Sequence, residues 1–332
     1  MHRARVFTGV LASLWVALFV VACQDQPASP TANVDGSLRL AKSSAADDAA
    51  IEAIASAMGR VNAELASEGA EYQVAVAEYV TAGDDGEHMG QTVFANNRGN
   101  KQLSSDFVPG DPRRGGGTDI LWVIDNEGTT TSGPTAAQTN AAIGRAMQTW
   151  QDVTCSNLPL TDLGVFPGDL GIVQDIFGFG GDPNLFTDVM HTGWLPGAFF
   201  DLLAPGGSTF ILGVTFTFIW IEVPSGNPTD IDGNGKTDVA FREIYYNDAF
   251  AWGDPGNTGL GSPFDVETVA LHEAGHGLSQ GHFGKIFRTN SNGQLHFAPR
   301  AVMNAAISGQ NVVIEGTDLG GHCSNWAEWP NN

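Results

Sequence analysis

Three of the chain's eight histidines and one glutamate crowd into the stretch LHEAGHGLSQGH, Leu271 to His282. His272 and His276 are four apart, so a helix sets both imidazoles on one face, one turn apart, close enough to hold one ion. Glu273 is turned by about 100° from His272 and stands beside that ion instead of on it. Neutral imidazoles next to a carboxylate suit Zn²⁺ with an open position. The metal lowers the pKa of its bound water to about 7, and the carboxylate takes the proton. Catalytic zinc normally has three protein ligands, and His282 lies beyond Gly277 and Gly281, which can end the helix and turn the chain back.

A second constellation is DIDGNGKTD. Asp230, Asp232, Asn234 and Asp238 fall at positions one, three, five and nine of an oxygen-ligand loop, with Gly235 at six and the Lys236 carbonyl at seven, a spacing that wraps Ca²⁺. Position twelve is Phe241, so the bidentate Glu of an EF-hand is missing. The alternative is an Asp/Asn/Gly turn joining two strands.

These residues need elements to hold them. Ser262 as N-cap, Pro263 at the first helical position and Asp265 and Glu267 in the first turn predict a helix carrying the histidines. TFILGVTFTFIWIEV and DVAFREIYYND predict strands on either side of the acidic loop. TDILWVID reads as a strand followed by a helix over GPTAAQTNAAIGRAMQTWQDV, with Ala142, Ala146, Thr149 and Trp150 near one face; together they imply mixed α and β architecture. Upstream, Ile51, Ile54, Met58 and Val61 are spaced for an amphipathic helix ending at Gly69, and YQVAVAEYV alternates like a strand. The Pro/Gly/Arg break VPGDPRRGGG predicts a domain boundary near 109–117. Residues 157–206 give short apolar runs without clear order. His191, in DVMHTGW, is a lone histidine, a metal ligand only if others join it and otherwise a hydrogen-bonded side chain.

The chain has 332 residues, 42% of them hydrophobic, and a formal net charge of −22, which makes nucleic acid an unsuitable partner. His2, Arg3 and Arg5 precede an uncharged apolar run, the pattern of a signal peptide over 1–22. VVAC, ending at Cys23, resembles the lipobox of bacterial lipoproteins, which implies lipidation of Cys23 and a membrane anchor. A polar, Pro/Ser-rich tether at 23–42 follows, of a composition that stays disordered. Cys155 and Cys323 are the remaining cysteines, and an exported protein favours pairing them.

The histidine motif resembles the metzincin metallopeptidases, within them the matrixin-like group. Their pattern HExxHxxGxxH is met by His272, Glu273, His276 and His282, and their Met-turn by AVMNA with Met303. REIYYNDAFAWGD and SPFDVETVALHEAGH look like the strand, loop and active-site helix of bacterial matrixins, and GTDLGGHCSNWAEW like their C-terminal helix. The likeness covers about 118–330 and is thin over 157–206. It departs from the pattern at Ser279, which replaces a turn glycine, and in a longer span from His282 to Met303 containing FRTNSNGQLHF. A gluzincin arrangement would make Glu315 the third ligand instead.

The resemblance implies an α+β fold: a twisted mixed sheet, a long helix, an active-site helix, a Met-turn and a C-terminal helix. The catalytic domain would span 117–332. Residues 43–116 would be a propeptide-like or accessory region, and structural calcium would accompany the zinc. No cysteine switch is available between Cys23 and Cys155; Asp111 in FVPGD is a candidate zinc blocker and Arg113–Arg114 a candidate cleavage joint. The implied function is peptide-bond hydrolysis of protein or peptide substrates with Glu273 as general base. The chain would work lipid-anchored in a bacterial envelope, or secreted. The alternative is a non-catalytic, calcium-dependent cell-surface binding lipoprotein on the same scaffold.

Overall fold

The computed structural model describes residues 38–40, 44–83, 88–95, 104–126, 128–129, 133–258, 264–289 and 291–331. The signal segment, Cys23, Ser262 and Pro263 lie outside the described residues. Helix α1 (Ala45–Glu68) opens on a capping box between Ser44 and Asp47 and stops at Gly69, whose φ of 76° suits glycine. Its Ile54, Met58 and Val61 are buried as the spacing predicts. Strands β1 (Tyr72–Thr81) and β2 (Gln91–Phe94) pair antiparallel.

Strand β3 (Ile120–Asp125) leads into α2 (Ala136–Gln151), capped by Thr135 and Gln138, and then into β4 (Leu160–Phe166). The obscure 157–206 region also holds helix Ile172–Phe177, β5 (Val189–Leu195) and helix Gly197–Leu203. The long apolar runs become β6 (Ile211–Glu222) and β7 (Thr237–Asn247). Helix α3 (Val266–Gly277) carries the paired histidines. It starts later than the sequence signals suggest: Asp265 is the N-cap, accepting from Thr268 N, so the cap is not Ser262. Strands β8 (Lys285–Thr289) and β9 (Leu295–Ala298) and helix α4 (Gly316–Trp326) complete the chain.

The fold is α+β, built on a mixed nine-stranded sheet whose main path runs β2-β1-β6-β7-β5-β3-β4. From β4 to β7 the strands are parallel, and from β7 through β6 and β1 to β2 they are antiparallel. Both faces are covered. Val214, Phe216 and Phe218 of β6 pack on the side of α1, while Trp150, Ala146, Leu271 and Ala274 place α2 and α3 on the other. Each such fully buried large apolar side chain contributes roughly 1.5–3 kcal/mol. Trp150 Nε1 donates to Leu271 O at 2.9 Å and ties α2 to α3.

Three expectations need correction. No boundary falls near 109–117: one compact unit runs from Gly36 to Asn332, and β1 lies inside the sheet between β2 and β6. The Gly-rich break is a tight 3-10 turn at Pro112–Arg114 held by its own arginines. Arg114, with 3% of its side chain exposed, pairs with Asp188 and is no open cleavage joint. Leu38–Leu40, expected inside the disordered tether, pairs antiparallel with β8. Among the described residues no helix is long and apolar enough to cross a membrane.

Candidate metal centre

Helix α3 sets His272 and His276 on one face, and the chain turns immediately after it to bring back His282. The turn is made by Ser279, the one non-glycine among the described residues with positive φ, at 65°. Gln280 N donates to Gly275 O, and Asn325 of α4 donates to Ser279 O at 2.9 Å. Beyond the turn, Phe283 N donates to Met303 O at 2.7 Å and fixes His282 against the Met303 segment.

The three Nε2 atoms converge: His276 lies 3.1 Å from His272 and 3.2 Å from His282. A tetrahedral ion with bonds of about 2.0–2.1 Å holds its nitrogens about 3.3 Å apart. The tautomers agree. His272 Nδ1 donates to Val302 O at 2.7 Å and His276 Nδ1 to Gln280 O at 2.8 Å; a carbonyl only accepts, so each ring carries a proton on Nδ1 and, when neutral, presents a lone pair at Nε2. Glu78 raises His276 against burial, so a cation must displace the second proton of that ring. Burial holds His272 and His282 well below the ordinary histidine range, with neighbouring imidazoles adding to the shift, so both rings are neutral. Lone pairs facing one another at this separation form a donor set for a divalent cation.

Glu273 is fully buried. Burial raises its carboxyl to about 7, against the opposing pull of His276 and of Thr215. Oε2 accepts from Thr215 Oγ1 of β6 at 2.6 Å, while Oε1 has no partner among the described residues. Gly213 makes room for it, since a Cβ there would lie 2.7 Å from Oε1. A carboxylate with one oxygen held and one free, titrating near neutrality, is suited to accept a proton.

Met303 lies beneath α3, so close that a Cβ on Gly275 would collide with its Sδ. Asp318 of α4 accepts from Val302 N at 2.7 Å and Met303 N at 3.1 Å and pins that turn. The α3 end is capped by Arg242 of β7, whose Nη1 donates to Gly277 O at 2.8 Å. Burial brings this guanidinium down to about 10, with Glu78 and Asp106 opposing. Glu78 of β1 places Oε2 3.2 Å from His276 Nδ1. Burial would raise Glu78, but His276, which Glu78 favours in its charged form, and the Arg242 guanidinium outweigh it and hold the carboxyl at about 2. Gly213, Thr215, Glu78, Arg242 and Asp318 were not singled out from sequence.

Other expectations distribute as follows. Cys155 and Cys323 form a disulfide, tying the chain after α2 to α4. His191 is not with the three histidines: it is buried and hydrogen-bonded through Nδ1 to Tyr246 Oη at 2.8 Å, and burial lowers it to about 3. Glu315 is the residue preceding α4 and does not join them either. Asp111 is committed to Arg113, which donates from Nε to Oδ1 and from Nη2 to Oδ2.

In the acidic loop, carboxylate oxygens of Asp230, Asp232 and Asp238 lie within 4.8 Å of one another. Asn234 Nδ2 lies 3.1 Å from Asp232, and Asp238 also takes Arg113 and Thr229. The Lys236 ammonium sits 3.0 Å from Asp106, a carboxylate from outside the loop that also lies 3.2 Å from Asn234 Nδ2 and that the spacing did not reveal. Burial raises Asp232, with Asp106 and Asp238 contributing. The chain matches no protein-family model and no curated protein.

Proposed function

We propose that the chain is a zinc-dependent endopeptidase of metzincin type, exported and lipid-anchored through Cys23. The observation that carries this reading is the convergence of three imidazole Nε2 atoms beside a buried carboxylate with one free oxygen. The order of elements supports the family: strand and helix β3–α2, the histidine helix α3, the Met303 turn and α4 follow one another as the resemblance implies.

His272, His276 and His282 would hold zinc by Nε2, with Val302 O and Gln280 O fixing two of the rings. Bound zinc supplies a Lewis acid that lowers the pKa of water and polarises a carbonyl. Glu273 takes up a proton at Oε1 and returns it to the leaving amine, while Thr215 keeps the carboxylate from rotating away. A cavity of about 330 Å³ opens beside His282 and Met303, lined also by Ser279, Phe283 and Asn325, and we assign the substrate side chain next to the scissile bond to it.

The acidic loop is proposed to take Ca²⁺ through Asp230, Asp232, Asn234, the Lys236 carbonyl and Asp238. The non-catalytic alternative draws on one observation: β6, the strand against α3, is paired on both edges by β1 and β7, so a peptide cannot add to it. Hydrolysis of an unstructured protein separates the two readings. We expect zinc-loaded native chain to cleave it, chelator to stop cleavage, and Glu273→Gln to keep zinc while losing at least about a hundredfold in rate. Cleavage by Glu273→Gln at the native rate would overturn the assignment.

A further inference from the structure

The sheet presents a polar row to α3. Thr92 of β2, Glu78 of β1 and Thr215 of β6 are register partners across three adjacent strands. Side chains directly opposite in a sheet share a face. Thr215 reaches Glu273, and Glu78 reaches His276. Glu78 Oε1 accepts from Thr92 Oγ1 at 3.1 Å, leaving Oε2 for His276 Nδ1 at 3.2 Å.

The strand bearing Glu78 is anchored on every side. It is paired with β2 and β6, and at its last residue Thr81 O accepts from Ile307 N, of the segment after Met303, at 2.9 Å. Only 12% of the Glu78 side chain is exposed. A largely buried carboxylate held by a neighbouring hydroxyl, on a strand paired along both edges, faces the ring nitrogen opposite the one that meets the metal.

We propose that Glu78 is a positioning residue of the metal centre: with Gln280 O it shares the Nδ1–H of His276, fixing the ring so that Nε2 points at the ion. A carboxylate behind a ligand histidine also raises its donor strength. On this reading β1 and β2 support the metal site, and removing them as a propeptide would take Glu78 from behind His276.

The inference rests on the zinc reading above, and the test separates the two. Zinc affinity of the full chain is measured by competition with a chromogenic chelator for native, Glu78→Gln and Glu78→Leu, with Co²⁺ absorption as a spectroscopic check. Glu78→Gln retains an acceptor and stays within about threefold of native. Glu78→Leu keeps the bulk, loses the acceptor, weakens zinc about 10–100-fold and shifts the Co²⁺ bands. Equal affinity in Glu78→Leu, or a Glu78→Gln loss as large as that of Glu78→Leu, overturns the proposal. If Glu78→Leu does not fold, Thr92→Val decides: freeing Oε1 weakens zinc a few-fold, and an unchanged affinity overturns it. A native chain that binds no zinc sinks the zinc reading, and this proposal with it.

Discussion

Asn325 donates from Nδ2 to the carbonyl of Ser279 at 2.9 Å, so the C-terminal helix clasps the turn that carries the chain from His276 to His282. Ser279 holds φ of 65° there, and its hydroxyl is buried with no partner among the described residues. A non-glycine residue at positive φ costs on the order of 1 kcal/mol. Ser279→Gly should therefore raise stability by about 0.5–1 kcal/mol and the melting temperature by roughly 1–4 °C, with zinc binding intact. A variant that melts lower than native would show that the serine turn is unstrained.

His282 and His191 make a paired prediction, because both are histidines with little or no contact with solvent and one alone belongs to the converging trio. His282→Ala should leave two imidazoles and drop zinc below one per chain after dialysis. His191→Phe should keep full zinc while losing the bond to Tyr246. Metal analysis of the two proteins checks this; equal zinc in both would remove His282 from the ligand set.

Helix α3 and its histidines were legible because the information is local: a four-residue spacing on a helix already fixes the geometry. The partners were not, because they arrive from distant strands. Glu273 and Thr215 are 58 residues apart, and GVTFTF predicts a strand without showing that Gly213, Thr215 and Thr217 are its α3-facing row. Glu78 in YQVAVAEYV looks like one polar residue in an alternating strand; only pairing with Thr215 and Thr92 brings it to His276. The boundary expected at VPGDPRRGGG failed for a related reason. Turn composition marks a bend, and whether the bend separates domains depends on where Arg113 and Arg114 find their carboxylates, here Asp238 and Asp188.

Glu243 gives a pH signature away from the metal. Burial raises its carboxyl to about 7, although Ile172 N, Tyr245 Oη and Val173 N all donate to it. The unfolded chain loses this proton near 4.5 and the folded chain near 7, so between them the folded state binds more protons and stability falls as pH rises. Glu243→Gln lacks that slope. Its stability relative to native should climb by up to about 3 kcal/mol from pH 4.5 to 7 and then level off. Urea unfolding at a series of pH values measures it, and a constant difference would mean that Glu243 is ionised throughout.

The acidic loop predicts a calcium effect on stability. Millimolar Ca²⁺ should raise the melting temperature of the native chain and leave Asp232→Asn nearly unmoved; occupancy at 100 times the dissociation constant is worth about 2.7 kcal/mol. Identical shifts in both proteins, or none in the native chain, would mark the loop as a turn held by Lys236 and Arg113 alone.

X-ray absorption at the zinc edge of the zinc-loaded chain tests the central claim most directly. The account predicts one zinc per chain with three imidazole nitrogens and one further light atom at about 2.0–2.1 Å, unaltered in Glu273→Gln. A zinc held by two imidazoles, or bound only at the carboxylates of the 230–238 loop, would contradict it.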